Sequence, residues 1–375
     1  MDGNPNPAAG SVVALTADHR AFDSEHEHRT RAEAARRLAG LKRHAYCGEY
    51  DRTRAYAPPM YFVPSDTLAG SDTAGALGIR DLHDLFGGVV PHPFVATKVI
   101  THSLVDADAA RPPGWASGFG ERVSGTVLKG FSAFARDDAR RAGLQLLVHG
   151  PVRIKPARAT GGRGQTVVEN ADALTRCLDA METDEVRAHG LVLEENLAAP
   201  LTFSVGQVIV DRTVASYHGR QRETRDNRGA TAYGGSDLHF VRGGFDALLA
   251  QPLTPAVRLA VRQAQRYHDA VADCFAGFFA SRINYDIAQG RAADGEARSG
   301  VLGQSWHIGG ATGAEIAALE TFRDRPECST VRASSFEAYG TGAPPPGATC
   351  YFHGVDAQAG PLAKYAVVAA DADTH

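Results

Sequence analysis

The run from Val152 to Val168, VRIKPARATGGRGQTVV, limits what this chain can fold into more than any other stretch. Its apolar opening predicts a strand carrying Lys155. A loop with Gly161, Gly162 and Gly164 follows, and a second β-rich run returns the chain. Glycines let a backbone approach a bulky anion and turn N–H groups toward it. Lysine adds a compact positive charge suited to phosphate. A strand–Gly loop–strand hairpin is therefore one way to cover the phosphates of a nucleotide. It differs from the phosphate loop that opens a helix and ends in Gly-Lys-Ser/Thr, and no Gly-x-Gly-x-x-Gly turn opens a helix here. The same residues also read as a plain turn, with Lys155 as an edge-strand lysine.

The rest of the composition sets bounds. A length of 375 residues allows two or three packed units, and 43% hydrophobic with 22% charged residues is ordinary for a soluble globular chain. A net charge of −4 supplies no global attraction to nucleic acid or anionic membrane, so neither partner is expected. Only five residues are lysine, at 42, 98, 129, 155 and 364. The five cysteines are scattered without a Cys-x-x-Cys pair, which argues against a zinc knuckle or a dithiol centre and suits a reducing cytoplasm. The opening MDGNPNPAAG lacks the pattern of a secretory signal, and no run of about 20 apolar residues predicts a membrane span. A cytoplasmic location is expected.

Along the chain, residues 1–93 read as a small α/β unit. SVVALTADHR predicts a strand, HRTRAEAARRLAGLKRHAY a helix ending near Gly48, MYFVPSD a strand, and LGIRDLHDLFGGVVPHP a helix plus a turn. Residues 94–320 hold the hairpin. They also hold helices at DDARRAGLQLLVHG, at NADALTRCLDAMET with Asn170 as cap, and at LTPAVRLAVRQAQRYHDAVADCFAGFF with Thr254 and Pro255 at its start. TFSVGQVIVDRTVASYHGRQRETR predicts two antiparallel strands, and SRINYDIAQG with SGVLGQSWHIGG a second pair. The polar stretch from Arg220 to Gly244 reads as a long loop whose Arg220, Arg222, Arg225 and Arg228 suit a carboxylate or a phosphate, or simply face water. Residues 321–375 form a tail with two short strands, TCYFHGVD and KYAVVAA.

The order ATKVIT, the Gly hairpin, LVLEENL, SVGQVIVD, INYDIAQG and SGVLGQSWHIGG resembles the ATP-grasp superfamily over roughly residues 95–320. It is also similar to a bacterial family of ATP-grasp-like proteins carrying a domain of unknown function. The resemblance implies an α+β fold with two subdomains gripping a nucleotide, preceded here by the small α/β unit. It implies that Lys98 and Lys155 face the phosphates, under a lid of Gly161, Gly162, Arg163, Gly164 and Gln165. Glu194 and Glu195 would flank base and ribose, with backbone groups of Asn196 and Leu197 on the adenine edge. Asp286, with Asn284 two residues before it on the same strand face, would hold Mg²⁺. The family's Glu-x-Asn-x-Arg pattern is replaced by Gly303, Ser305 and His307. Gln304 and Glu315 stand nearby, with Gln304 expected on the opposite strand face. Arg225, Arg282 and His307 are the candidate catalytic side chains. Implied with them are ATP and Mg²⁺ as cofactors, small-molecule carboxylate and amine (or thiol) substrates joined through an acyl phosphate, and a chain compatible with a homodimer. The missing glutamate also allows a degenerate nucleotide-binding regulator or scaffold without turnover.

Overall fold

A computed structural model describes residues 9–17, 24–159 and 164–369. The Gly161, Gly162 and Arg163 expectations fall outside the described residues. The chain opens with β1 (Ser11–Leu15), α1 (Glu25–Lys42), β2 (Ala45–Glu49) and β3 (Met60–Pro64), whose strands form a parallel sheet in the order β2-β1-β3. Helix α1 stops earlier than the sequence pattern suggests. Arg43 turns left-handed at φ 57° and sends its N–H back to the helix carbonyls, and Ala45–Glu49 then pairs with β1. Next come β4 (Leu68–Ala69), α2 (Ser71–Ala76) and β5 (Gly88–Val90). LGIRDLHDLFGG forms no α-helix. Asp81 accepts from the His83 N–H at 2.7 Å and Asp84 from the Arg80 N–H at 2.9 Å, so short side chains take the backbone donors and hold turns instead.

Two 3₁₀ turns, Pro93–Ala96 and Lys98–Thr101, lead into α3 (Ser117–Val123), β6 (Gly130–Ala133), α4 (Arg136–Leu147), β7 (Val152–Pro156), β8 (Thr166–Val168), α5 (Ala171–Asp179), α6 (Thr183–His189) and β9 (Leu191–Glu195). The strands make an antiparallel sheet in the order β6-β9-β7-β8, with the expected β7–β8 hairpin at its edge. Asn170 caps α5 by accepting from the Ala173 N–H at 2.9 Å. Leu146, Val152, Ile154, Leu174 and Leu193 close the core of this unit.

The remainder builds one large sheet. Its elements are β10 (Ala198–Val210), β11 (Thr213–Arg225), β12 (Thr231–Arg242), α7 (Phe245–Leu249), α8 (Pro255–Cys274), β13 (Phe279–Ala280), β14 (Arg282–Arg291), β15 (Ala297–Ser305), α9 (Thr312–Asp324), β16 (Thr330–Tyr339), β17 (Thr349–Asp356) and β18 (Gly360–Val368). The order is β15-β14-β10-β11-β12-β16-β18-β17, antiparallel throughout. The polar stretch 220–244 is no loop but most of the β11–β12 hairpin, turning at 226–230. Residue 321 lies inside α9, and β16–β18 continue the large sheet.

One face of the sheet packs on α8 and α3 through Val205, Tyr267, Tyr285 and Trp306. The other packs on α9, α1, β1 and β3 through Tyr217, Phe240, Leu319 and Leu38. The amino-terminal strands thus share a core with the last strands of the chain.

Candidate functional site

The charged centre forms where the 3₁₀ turns pass between the β6-β9-β7-β8 sheet and the large sheet. Thr97 Oγ1 accepts from the Val99 N–H at 3.3 Å, which fixes the turn that presents Lys98. The Lys98 stem lies against Gly303 of β15, where a Cβ would stand 3.1 Å from Lys98 Cβ. Its ammonium donates to the Ala157 carbonyl at 3.3 Å and to the Ala159 carbonyl, just past β7. Lys98 therefore ties the small sheet to the large one.

Lys155 on β7 is 2% exposed and pairs with Glu194 of β9. Glu194 also meets His102 Nε2 at 3.4 Å, and all three side chains are buried. Burial opposes the Glu194 charge, but Lys155 and His102 outweigh it and hold the carboxyl below its ordinary range. Lys98 is pulled down to about 8, first by burial and then by the neighbouring Lys155 charge, with Glu194 and Asp286 acting against the drop. The Lys155 charge is thus answered by Glu194, and the Lys98 ammonium by the Ala157 and Ala159 carbonyls.

Asp286 on β14 sits opposite Gly303 in the ladder. Its Oδ1 is met by Gln221 Nε2 at 2.8 Å, Asn284 Nδ2 at 3.0 Å and Ser204 Oγ at 3.4 Å. Burial pushes Asp286 up, against these hydrogen bonds and the Arg282 charge. Behind Asn284, the Tyr217 hydroxyl lies 3.0 Å from Asn284 and 2.6 Å from Glu315.

Several expected roles change. Arg282 is 1% exposed, and its three nitrogens are spent on Glu315, Ser305 and the His307 carbonyl, so it braces β14 against α9 rather than reaching a substrate. Arg225 donates to the Gly229 carbonyl at 3.1 Å at the tip of the hairpin. His307 has Nδ1 2.7 Å from the Ile308 carbonyl and Nε2 3.8 Å from Asp66 in the turn after β3. Glu194 is turned to Lys155 and His102. Glu195 accepts from the Lys129 N–H at 3.0 Å. The Asn196 N–H is taken by the Pro151 carbonyl at 3.0 Å, and its side-chain oxygen by Arg153, which leaves that N–H no free bond for an adenine edge. Leu197 is buried beside Leu128 and Ala288. Gln165 accepts from Arg153 at 3.1 Å, and Gly164 has φ 67°. Gln304 faces the first 3₁₀ turns, donating to the Val95 and Thr97 carbonyls at 3.0 and 2.8 Å, on the strand face opposite the charged centre as alternation requires. His102, Ser204, Gln221 and Tyr217 were not singled out by sequence. The lone signal for them was Ser204 at the head of the SVGQVIV strand, where Gln207 is the other polar side chain.

The DUF3182 family, described as a protein of unknown function, matches residues 13–366. The chain belongs to DUF3182. No curated protein sequence matches this DUF3182 chain. Among solved structures it is similar to the biotin carboxylase–beta-gamma-ATP complex from Campylobacter jejuni, at TM-score 0.54 and 12% identity, covering 96% of this chain and 87% of the other. It is also similar to N5-carboxyaminoimidazole synthetase from Staphylococcus aureus complexed with ADP, at TM-score 0.52 and 10% identity, covering 99% and 96%. The DUF3182 chain has the ATP-grasp fold, as its motif order led one to expect. Among the described residues no helix is long and apolar enough to cross a membrane.

Proposed function

We propose that this protein binds ATP between its β6-β9-β7-β8 sheet and its large sheet and uses it to join a carboxylate to an amine, or to a thiol, through an acyl phosphate. The observation that carries this reading is the meeting of Lys98, Lys155 and Asp286 at one place between the small and large sheets. Two ammonium groups favour phosphate oxygens, and desolvation strengthens that attraction. Asp286 suits magnesium in the way nucleotides carry it, with one carboxylate from protein and the remaining ligands from phosphate and water. When bound, the ion would neutralise phosphate charge and orient the transferred group. Lys98 and Lys155 hold and orient the phosphates, so positioning and electrostatics supply the rate without a protein nucleophile. Small-molecule substrates and a cytoplasmic site of action complete the proposal.

Gly303 favours a second reading, a nucleotide-binding regulator without turnover, because β15 offers no carboxylate opposite Asp286. A thermal-shift titration with ATP and ADP, with and without Mg²⁺, on wild type, Lys98→Ala and Lys155→Ala separates these from no binding at all. A ligand at about 100 times its dissociation constant stabilises by about 2.7 kcal/mol. An ATP shift that both variants lose supports the site. Phosphate release with an acid and an amine then selects the ligase, whereas binding with no release across an acid–amine panel selects the regulator. No shift in wild type sinks both.

A further inference from the structure

The small sheet carries a cavity that the charged centre does not use. It measures about 380 Å³ and lies where α6 meets the end of β7 and the start of β9. Ala157, Met181, Val186 and Leu191 line it, and all but Met181 are at most 4% exposed. Backbone bonds knit the lining together. Gly190 ends α6 at φ 81° and sends its N–H to the Val186 carbonyl at 2.9 Å, while its own carbonyl accepts from the Ala157 N–H at 3.2 Å. These main-chain groups are therefore satisfied, and what the side chains leave open to an occupant is mainly apolar. A Cβ on Gly190 would fall 2.7 Å from Val99 Cγ2 and 2.9 Å from Phe134 Cε1, so the chain is tightly packed on its far side and the cavity is no general looseness of this unit. Protein interiors leave few voids larger than a water molecule. A hollow of this size falls within the range of about 300–1,000 Å³ that small-molecule sites occupy.

Charge at the mouth selects the occupant. Glu182 and Glu185 also line the cavity, and both are exposed. Between them Asp184 pairs with Arg187 at 3.1 Å, and Glu185 stands 3.8 Å from His189. Among the described residues no ion pair engages Glu182, which precedes the first turn of α6 and makes no side-chain bond to it. An anion would meet two carboxylates here, and a neutral molecule would gain nothing from them. We infer that this cavity is a binding site for a small apolar molecule bearing one ammonium group, its body against Met181, Val186 and Leu191 and its charge held at the mouth by Glu182 and Glu185. At the mouth the ammonium keeps part of its hydration, so the attraction is not offset by a full desolvation cost.

The site is separate from Lys98, Lys155 and Asp286, yet it shares a residue with them. Ala157 lines the cavity, and its carbonyl accepts from the Lys98 ammonium at 3.3 Å. Val99, which follows Lys98, is the side chain pressed on Gly190. An occupant that shifts Ala157 or Gly190 therefore changes how Lys98 is held, and two sites linked in this way alter each other's affinity by the same factor. The site stands without the nucleotide reading, and only its coupling to ATP rests on that reading.

The test uses the full chain and three probes of similar shape, 2-phenylethylammonium, 2-phenylethanol and phenylacetate. The chain has three methionines, Met1, Met60 and Met181, so ¹³C-methyl labelling gives few signals, and Met181→Leu assigns the one at the cavity. The amine should shift the Met181 methyl and leave Met60 in place. It should bind at least fivefold tighter than the alcohol, with phenylacetate weakest. Glu182→Gln with Glu185→Gln should bring the amine down to the level of the alcohol. An unmoved Met181 methyl at millimolar amine overturns the inference. So does an alcohol or acid that binds as well as the amine, or a double variant that keeps the wild-type preference. Repeating the titration in saturating ATP should change the amine affinity at least twofold. An unchanged affinity in a protein that binds ATP removes the coupling and leaves the site. If ATP does not bind at all, the coupling falls with the nucleotide reading, and the Met181 shift still decides the site.

Discussion

Lys98 shows how one side chain can make a site sensitive to pH. Burial and Lys155 lower it from the ordinary 10.5 to about 8. An anion that needs its ammonium should bind progressively more weakly above pH 8, by about tenfold per unit once the group is mostly neutral. Calorimetry with ATP from pH 7 to 10 should show that limb. Lys98→Arg, which stays charged, should flatten it. The stability effect runs the other way. Between about 8 and 10.5 the unfolded chain holds the proton that the folded chain has lost, so stability rises with pH through this window. Arg282 makes a contrasting prediction. Removing it strands Glu315, which is 0% exposed, and Arg282→Ala should cost about 3–5 kcal/mol in urea unfolding. Arg282→Met with Glu315→Leu should recover most of that loss, because the charge is then gone from both sides. Recovery no better than in the single variant would show that the pair is favourable in its own right.

At the scale of elements, what could be read in advance was local. The Asn170 cap, the Thr254–Pro255 start of α8 and the alternation of β14 and β15 each depend on neighbours within a few residues. Asn170→Ala should cost about 1 kcal/mol, measurable in the same urea titrations. Lys98 and Lys155 draw notice in the sequence because lysine is scarce, and Asp286 because it lies in one of the motifs that carry the resemblance; their roles belong to the proposal. The Arg220–Gly244 stretch was misread for a physical reason. Its polar residues find partners across strands, Arg222 with Asp237 and Asp237 with Ser334, so polarity marks a ladder of side chains and not a loop. The circle of Ser204, Tyr217, Gln221 and Glu315 around Asn284 and Asp286 draws on β10, β11, β14 and α9. Only strand register brings these together, and no window along the chain contains them.

The whole molecule should be sensitive to acid. Burial lowers His218 and His268 to about 4, with His239 beside His218 contributing. Both lie below the ordinary 6.5, so between 6.5 and 4 the unfolded chain binds more protons than the folded one. Stability is therefore lost as pH falls through that window. Urea unfolding at several pH values should show the loss, and His218→Gln with His268→Phe should reduce its slope. An unchanged slope in that double variant would assign acid sensitivity to other groups.

Helix α1 meets strand β17 directly. The His26 N–H donates to Asp356 at 3.2 Å, and the His26 ring lies 3.1 Å from the same carboxylate. With Leu38 and Tyr61 packed in the same core as Val331 and Tyr351, segments made early in synthesis share an interior with segments made late. A ribosome must therefore release most of the chain before its first helix can find a permanent seat, and until then that helix's apolar face is left to chaperones or to chance encounters with other nascent chains.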